Sequence, residues 1–228
     1  MLFQKMISVM ALATALMEGS FHTAMPDKNV EGSIFLVNRQ QIINSDYLPE
    51  LEKAKVPGAS QFMRAMAATA LEEMFAAAKS ESNISLATVS GYRSFRKQDI
   101  IYSQKKQSIG SAKADMLVAI PGASEHQLGM AMDIAQKGSS RLNANFGKTK
   151  EGRWVSENAH RFGFIIRYQL GYEDITGYSF EPWHVRYVGM EHAKAIYESM
   201  KPMEFYISDH RLHLYEYLIH FASSEVLP

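Results

Sequence analysis

The segment SEHQLGMAMDIA, residues 124–135, constrains the fold more strongly than any other part of this sequence. Large apolar residues alternate along it with small or polar ones, which is the two-residue period of a β-strand with one face on a core. The large residues are Leu128, Met130, Met132 and Ile134. The other face carries Asp133 with only Gly129 and Ala131 beside it. We therefore expect a strand that leaves space beside the Asp133 carboxylate for a small, highly charged group.

His126 precedes Asp133 by seven positions, so the two side chains would lie on opposite faces of an uninterrupted strand. Both can reach one ion only if the chain turns near Gln127. The motif thus predicts a turn before the strand, which local patterning alone does not establish.

Composition limits the classes of function that the chain can have. Its 228 residues suit one domain with a sizeable core and a short appendage. The 24 basic and 24 acidic residues balance to zero, which argues against a nucleic-acid-binding protein because such domains usually carry a basic surplus. There is no cysteine, so disulfides, thiolate metal sites and cysteine nucleophiles are excluded. We expect a monomer.

Both ends of the chain predict segments outside the main domain. In residues 1–24, Lys5 precedes about a dozen mostly apolar residues, which favours a secretory signal peptide over a buried N-terminal helix. We therefore expect export to the cell wall, the extracellular space or the outer face of the membrane, with a membrane tether through this segment left open. Residues 209–228 place Leu214, Tyr217, Leu218 and Phe221 at the spacing of an amphipathic helix.

Short strands and helices alternate through the rest of the chain. Strands are predicted at residues 33–40, 84–90 and 164–168, and around Pro182 within residues 174–189. Helices are predicted at residues 59–79, 96–107, 111–120, 151–163 and 190–201, with an irregular arm at residues 45–58. Because tight turns as well as helices join the strands, the pattern predicts an α+β fold with a small, mostly antiparallel sheet and helices packed around it.

Three motifs contain the residues able to do chemistry. They are GYRSFRKQ (91–98), SEHQLGMAMD (124–133) and EPWHVRYVG (181–189), and the last two supply two histidines and two carboxylates. Taken singly, each residue has a structural interpretation, since a lone histidine is more often a hydrogen-bonded side chain than a metal ligand. Their combination points to a shared site.

Two histidines and one carboxylate, from His126, His184 and Asp133, leave a fourth position open on a metal ion, as in catalytic zinc sites. Zinc lowers the pKa of its water from about 15.7 towards 7, so hydroxide becomes available at neutral pH. A carboxylate is still needed to take the proton and return it to a leaving amine. Glu181, three residues before His184, is well placed for this.

In this order the three motifs resemble those of the zinc-dependent D-alanyl-D-alanine carboxypeptidases of the VanY type. That family shares its fold with L,D-carboxypeptidases and the hedgehog signalling domain. The resemblance covers about residues 33–206, including FLVNRQQII, SENAHRFGFIIRY and ITGYSFEPWHVRYVG. It implies a catalytic domain over these residues and nothing about the segments on either side.

The resemblance also implies roles for particular residues. The implied Zn²⁺ ligands are His126, Asp133 and His184. Glu181 would be the general base, and Arg93 would face the substrate's carboxylate and the developing oxyanion. Ser124 and Gln98 would contact the substrate. The implied reaction removes the C-terminal D-alanine from peptidoglycan stem peptides.

Several alternatives remain at this point. An L,D-carboxypeptidase or a peptidoglycan endopeptidase would carry the same motifs. A non-haem iron(II) enzyme also uses two histidines and one carboxylate, although it would not explain Glu181 beside His184. A non-catalytic cell-wall-binding module would not need Glu181. For Arg93, the alternative is a surface ion pair with an acid such as Asp99, worth about 1 kcal/mol or less.

Overall fold

A computed structural model of the protein describes residues 33–209. The predicted signal segment, residues 1–24, lies outside this range, as does nearly all of the predicted C-terminal helix at 209–228. Within the range, no helix combines the length and the apolar character needed to cross a membrane.

Short strands and helices alternate along the chain. The strands are β1 (Glu52–Lys53), β2 (Phe62–Met63), β3 (Leu86–Ser90), β4 (Ala131–Gln136), β5 (Phe164–Tyr168) and β6 (Glu181–Tyr187). The helices are α1 (Ala65–Ser82), α2 (Phe95–Ile109), α3 (Ser111–Leu117), α4 (Lys150–Asn158), α5 (Glu173–Thr176) and α6 (Met190–Ser199). Turns of 3₁₀ helix lie at Glu125–Leu128, Ala144–Lys148 and Ala159–Phe162, and residues 203–209 are helical.

The four longer strands form one sheet in the order β3–β4–β6–β5, in which every neighbouring pair is antiparallel. β1 and β2 form a separate two-stranded ribbon. This architecture confirms the predicted α+β fold class with its small antiparallel sheet. The register of β4 and β6 places Asp133 directly opposite His184, so two candidate ligands from distant parts of the sequence share one face of the sheet.

The opposite face of the sheet packs on α1. Met132 and Ile134 of β4 and Val185 of β6 lie in one buried cluster with Leu71 and Met74 of α1. Alternation along the strands therefore turns Asp133 and His184 away from this core. The prediction that Met132 and Ile134 face a core is confirmed.

The prediction for the first part of this motif was wrong. Leu128 and Met130 are fully buried, but they belong to a different cluster with Val37 and Ile43. The reason is that the chain turns before β4 begins: a 3₁₀ turn ends at Gly129, which adopts a left-handed conformation with φ 71°. This is the turn expected near Gln127, and Gly129 serves the turn rather than clearing space beside Asp133.

Gly129→Ala should lower the free energy of unfolding by more than the same change at Gly138. Both glycines have positive φ, 71° and 88°, so alanine is strained at each by about 1–3 kcal/mol. At Gly129 a Cβ would also lie 2.9 Å from a methyl carbon of Leu51 and 3.3 Å from the backbone nitrogen of Arg64, which its hydrogen bond to the Gly129 carbonyl holds in place, whereas at Gly138 it would meet nothing within 4 Å. Urea denaturation of the two variants measures the difference, and equal losses would contradict the steric argument.

Residues 33–40, predicted as a strand, instead form a 3₁₀ turn at 33–34 followed by irregular chain. The carbonyl oxygens of Ser33 and Phe35 each accept a hydrogen bond of 2.9 Å from Nη2 of Arg186. A guanidinium therefore satisfies backbone groups that would otherwise need a neighbouring strand.

The helix predicted at residues 59–79 begins later, at Ala65. Phe62 pairs with Lys53 in the β1–β2 ribbon, and the backbone N–H of Arg64 donates to the Gly129 carbonyl at 2.7 Å. These tertiary contacts keep residues 62–64 in an extended conformation, although the apolar spacing of the segment by itself favours a helix. The same ribbon places a short strand in the arm predicted to be irregular.

The other predicted elements are confirmed with small shifts at their ends. β3 begins at Leu86 instead of residue 84, and Gly110 separates α2 from α3 as expected. The helix predicted at 151–163 is α4 followed by a 3₁₀ turn that Gly163 ends with φ 80°. The strand predicted around Pro182 is β6.

Candidate functional site

Asp133 and His184 form the centre of the candidate site. They face each other across β4 and β6, with 3.1 Å between Oδ1 of Asp133 and Nδ1 of His184. Both residues are almost completely buried. The strand register alone thus brings a carboxylate and an imidazole nitrogen to one point.

His126 reaches the same point from the 3₁₀ turn that precedes β4. Its Nδ1 lies 2.8 Å from the carbonyl oxygen of Gly91, at the end of β3. A carbonyl oxygen only accepts hydrogen bonds, so the proton is on Nδ1 and the lone pair is on Nε2. Nε2 is buried, makes no hydrogen bond, and lies 3.3 Å from Oδ2 of Asp133.

These three side chains fit a divalent metal ion. One ligand atom from each of His126, Asp133 and His184 lies within 4.8 Å of the others, and all three residues are buried. The unbonded Nε2 of His126 is a buried polar atom that a metal would satisfy. Two imidazoles and one carboxylate suit zinc, and leave a coordination position for catalysis.

The electrostatics of the site also favour a cation. Burial alone would raise the pKa of Asp133 and lower that of His184. The imidazoles of His126 and His184 instead hold the pKa of Asp133 well below its usual range, and the carboxylates of Asp133, Glu125 and Glu181 raise the pKa of His184 to about 9. Burial and the nearby Arg93 guanidinium lower the pKa of His126 to about 4, which leaves its imidazole neutral at physiological pH. A neutral imidazole can bind a metal ion.

Glu181 stands at the start of β6, beside this cluster. Its Oε2 lies 3.8 Å from Nδ1 of His184, and its side chain is only 13% exposed. Burial raises the pKa of the Glu181 carboxyl to about 7. A group that titrates near the operating pH is suited to accept a proton and to return it.

Arg93 follows the end of β3 and also contacts Asp133. Its Nη2 is 3.6 Å from Oδ2 of Asp133, and its Nη1 donates to Oε1 of Gln98 at 3.0 Å. The ion pair with Asp99 that was the alternative is therefore replaced by contacts inside the site. Gln98 also donates from Nε2 to the Ala119 carbonyl at 2.7 Å, so it steadies Arg93, and its contact with substrate stays a prediction.

One cleft of about 520 Å³ contains all the predicted site residues. They are Arg93, Gln98, Ser124, His126, Asp133, Glu181 and His184. Apolar and aromatic side chains form much of the remaining wall, among them Leu117, Val118, Tyr168, Tyr178 and Trp183. A separate groove of about 330 Å³, near His160 and Tyr197, contains none of the predicted residues. The cleft is thus a pocket with a few convergent polar groups, as expected of a site for a small substrate.

The sequence analysis missed one charged cluster behind the site. Glu125 is fully buried, and its Oε1 accepts hydrogen bonds from Nε of Arg167 at 2.7 Å and from Nη1 of Arg186 at 2.8 Å. Burial would raise the pKa of Glu125, but the two guanidinium groups outweigh it and hold the pKa well below its usual range. The signal was present: each of the apolar strands FIIRY and HVRYV contains an arginine, and a buried arginine requires a carboxylate.

Comparison with known families gives an independent view of this cleft. The sequence profile described as VanY, D-alanyl-D-alanine carboxypeptidase, matches residues 60–190, more than half of the chain. The protein YodJ of Bacillus subtilis (strain 168), whose name describes a carboxypeptidase, is 43% identical over 189 residues. The match covers 78% of this chain and 68% of YodJ, so this chain spans about two thirds of that relative's length.

Solved structures similar to this one include an LD-carboxypeptidase and a vancomycin-resistance peptidase. A structure of the LD-carboxypeptidase LdcB is 43% identical with a TM-score of 0.74, covering 79% of this chain and 88% of that one. A mutant of the vancomycin-resistance D,D-pentapeptidase VanY, solved in complex with Zn(II), is 38% identical with a TM-score of 0.67. That match covers 77% of this chain and 98% of the VanY chain.

Proposed function

Because the chain belongs to the VanY family of D-alanyl-D-alanine carboxypeptidases, we propose that it removes the C-terminal D-alanine from peptidoglycan stem peptides. We propose zinc as its metal, bound by His126, Asp133 and His184. Support for zinc comes from the donor set of the site and from the Zn(II) in the related VanY structure.

The observation that carries this proposal is the arrangement within the cleft. A three-residue metal site lies between a buried carboxylate with a raised pKa, Glu181, and a fixed guanidinium, Arg93. Hydrolysis of a terminal peptide bond needs these three parts: an activated water, a proton acceptor and a group that binds the free carboxylate.

Zinc bound at this site supplies a Lewis acid, which makes hydroxide available near neutral pH. Glu181 takes the proton from the attacking water as its oxygen adds to the scissile carbonyl carbon. When the carbon–nitrogen bond breaks, Glu181 returns that proton to the leaving amine. Its buried position makes the carboxyl a stronger base than an exposed one, which favours the first transfer.

Arg93 binds the terminal carboxylate of the substrate. A guanidinium offers a planar pair of donors that matches the two oxygens of a carboxylate. The side-chain oxygen of Gln98 accepts a hydrogen bond from Nη1 of Arg93, and this contact fixes the orientation of the guanidinium in the cleft. This contact makes the enzyme a carboxypeptidase, since the carboxylate exists only at the end of a peptide.

Amidating the C-terminus of a peptide substrate should lower kcat/KM at least about tenfold, because it removes a charge-assisted hydrogen bond worth roughly 1.5–3 kcal/mol. Arg93→Lys should lower cleavage of the free acid as well, since a point charge cannot make the two-pronged contact. Steady-state kinetics on paired free-acid and amidated peptides measures both effects.

Arg96→Lys is the matched control, because Arg96 is exposed on α2, three residues away. It should cleave both peptides as the unaltered enzyme does. Equal cleavage of free-acid and amidated peptides by the unaltered enzyme would show that the enzyme does not recognise the terminal carboxylate. That result would support an endopeptidase activity instead.

An L,D-carboxypeptidase is the second candidate, and the similarity to LdcB favours it. Purified protein incubated with pentapeptide and tetrapeptide stems separates the two by mass spectrometry. Release of D-alanine from the pentapeptide supports the proposed D,D activity. Release from the tetrapeptide alone would support the L,D activity instead, and cleavage of neither would contradict both.

We also propose that the protein acts outside the cytoplasmic membrane, where its proposed substrate lies. The apolar segment within residues 1–24 supports export. Fractionation of the native cells, with an antibody against the catalytic domain, measures the location.

A further inference from the structure

The Glu125 cluster connects the candidate metal site to both ends of the described chain. Glu125 lies in the 3₁₀ turn before β4, Arg167 in β5 and Arg186 in β6. Arg167 also donates two hydrogen bonds to the carboxylate of Glu204, one of 3.0 Å from Nη1 and one of 2.6 Å from Nη2. Both arginine side chains are fully buried, so neither can exchange these partners for water.

The two oxygens of Glu125 have different partners. Oε1 accepts from both guanidinium groups, whereas Oε2 lies 3.4 Å from Nε2 of His184. Arginine side chains only donate hydrogen bonds, and a carboxylate only accepts them. With Oε1 used by the arginines, Oε2 faces His184 as an acceptor, and Nε2 of His184 carries the proton.

We propose that Glu125 is a positioning residue that keeps His184 in the tautomer able to bind metal. An imidazole binds a metal ion only after one of its nitrogens has lost its proton. Because Glu125 keeps a proton on Nε2, the nitrogen of His184 that is free to give up its proton to a metal ion is Nδ1, which lies 3.1 Å from Asp133 in the metal site. His126 is held the opposite way, since the Gly91 carbonyl keeps its proton on Nδ1. The Gly91 carbonyl thus directs Nε2 of His126 towards the metal site, and Glu125 directs Nδ1 of His184 towards it.

The arginines set the orientation of Glu125. Arg186 also donates to the backbone carbonyls of Tyr187, Ser33 and Phe35, and Arg167 donates to both oxygens of Glu204. Neither guanidinium can therefore rotate to release Oε1. Partners of this kind behind a metal ligand typically change metal affinity by about 10–100-fold when they are removed.

Glu125→Gln should reverse the tautomer of His184. Both guanidinium groups require an acceptor, so the amide oxygen takes the place of Oε1 and the amide NH₂ faces Nε2 of His184. An NH₂ group donates, which moves the imidazole proton to Nδ1, the atom needed by the metal. Zinc affinity, measured by competition with a chelator of known affinity, should fall by about 10–100-fold.

Glu204→Gln is the matched control. It makes the same chemical change at the other partner of Arg167 and contacts neither His184 nor the metal site. The glutamine amide oxygen can still accept a hydrogen bond from Arg167, and Arg186 still donates to Oε1 of Glu125, so zinc affinity should remain that of the unaltered protein. An equal loss in both variants would overturn the proposal, because it would indicate a general loosening of the buried ion pairs.

A second measurement does not depend on the folding of any variant. Nitrogen-15 NMR of the unaltered zinc-bound protein should show His184 protonated on Nε2 and His126 protonated on Nδ1. A proton on Nδ1 of His184 would overturn the proposal.

This inference rests on the metal site of the proposed function, and the affinity measurement separates the two. If the unaltered protein binds no zinc, both are wrong. If it binds zinc tightly and Glu125→Gln binds it equally well, the positioning role alone is wrong.

Discussion

Glu181→Gln should lower kcat/KM on a pentapeptide stem by at least about 10²–10⁴-fold, the range typical of general acid–base catalysis. The amide keeps the size of the side chain at the start of β6 but cannot accept a proton from water. Glu181 lies 3.8 Å from His184 and outside the three predicted ligands, so zinc should stay bound. Steady-state kinetics and elemental analysis on the same preparation measure the two quantities.

Glu198→Gln provides the comparison, because that carboxylate is exposed on α6 beside Lys194. It should leave turnover unchanged. Near-normal turnover in the Glu181 variant, with one zinc per chain, would show that another group accepts the proton. Loss of zinc from the Glu181 variant would mean that this carboxylate helps to hold the metal.

Removing the metal should reduce peptide cleavage to background. The unaltered protein should contain one zinc per chain, and dialysis against a chelator should abolish activity until zinc is returned. His126→Ala should prevent recovery, because it removes the buried Nε2 and leaves two ligands. Without the metal, water keeps its pKa of about 15.7, so hydroxide is scarce at neutral pH.

A control for this variant is His160→Ala, since His160 stacks on Tyr197 in the separate groove. It should retain zinc and activity. Elemental analysis that finds iron in the active protein would favour the iron(II) alternative, and activity that survives complete removal of metal would contradict the proposed mechanism.

Local sequence patterns predicted most of the elements that carry the site. The predictions of α2, α3, β5 and β6 hold because their signals are local: Gly110 separates the two helices, and the mostly apolar residues of the two strands are largely buried. The predictions failed where a distant group competes for the backbone. Residues 33–40 have the composition of a strand, but Arg186 occupies two of their carbonyls. Phe62 likewise pairs with Lys53 instead of joining α1.

The sequence by itself determined the chemistry available to this protein. Two histidines and two carboxylates in ordered motifs, with the cationic Arg93 upstream and no cysteine, pointed to metal-assisted hydrolysis. These inferences needed only residue types and spacings, because ligand preference and proton affinity belong first to the side chains.

Only the tertiary structure decided how those side chains meet. The β4–β6 register sets Asp133 against His184, and the turn at Gly129 brings His126 to them, although the two histidines are 58 positions apart in the sequence. Glu125 shows the same dependence most clearly. A buried carboxylate is stable only beside compensating cations, and Arg167 and Arg186 reach it only when β5 and β6 have joined the sheet. Long-range pairing of this kind leaves no periodic trace in the sequence, because its energy comes from contacts between segments rather than within them.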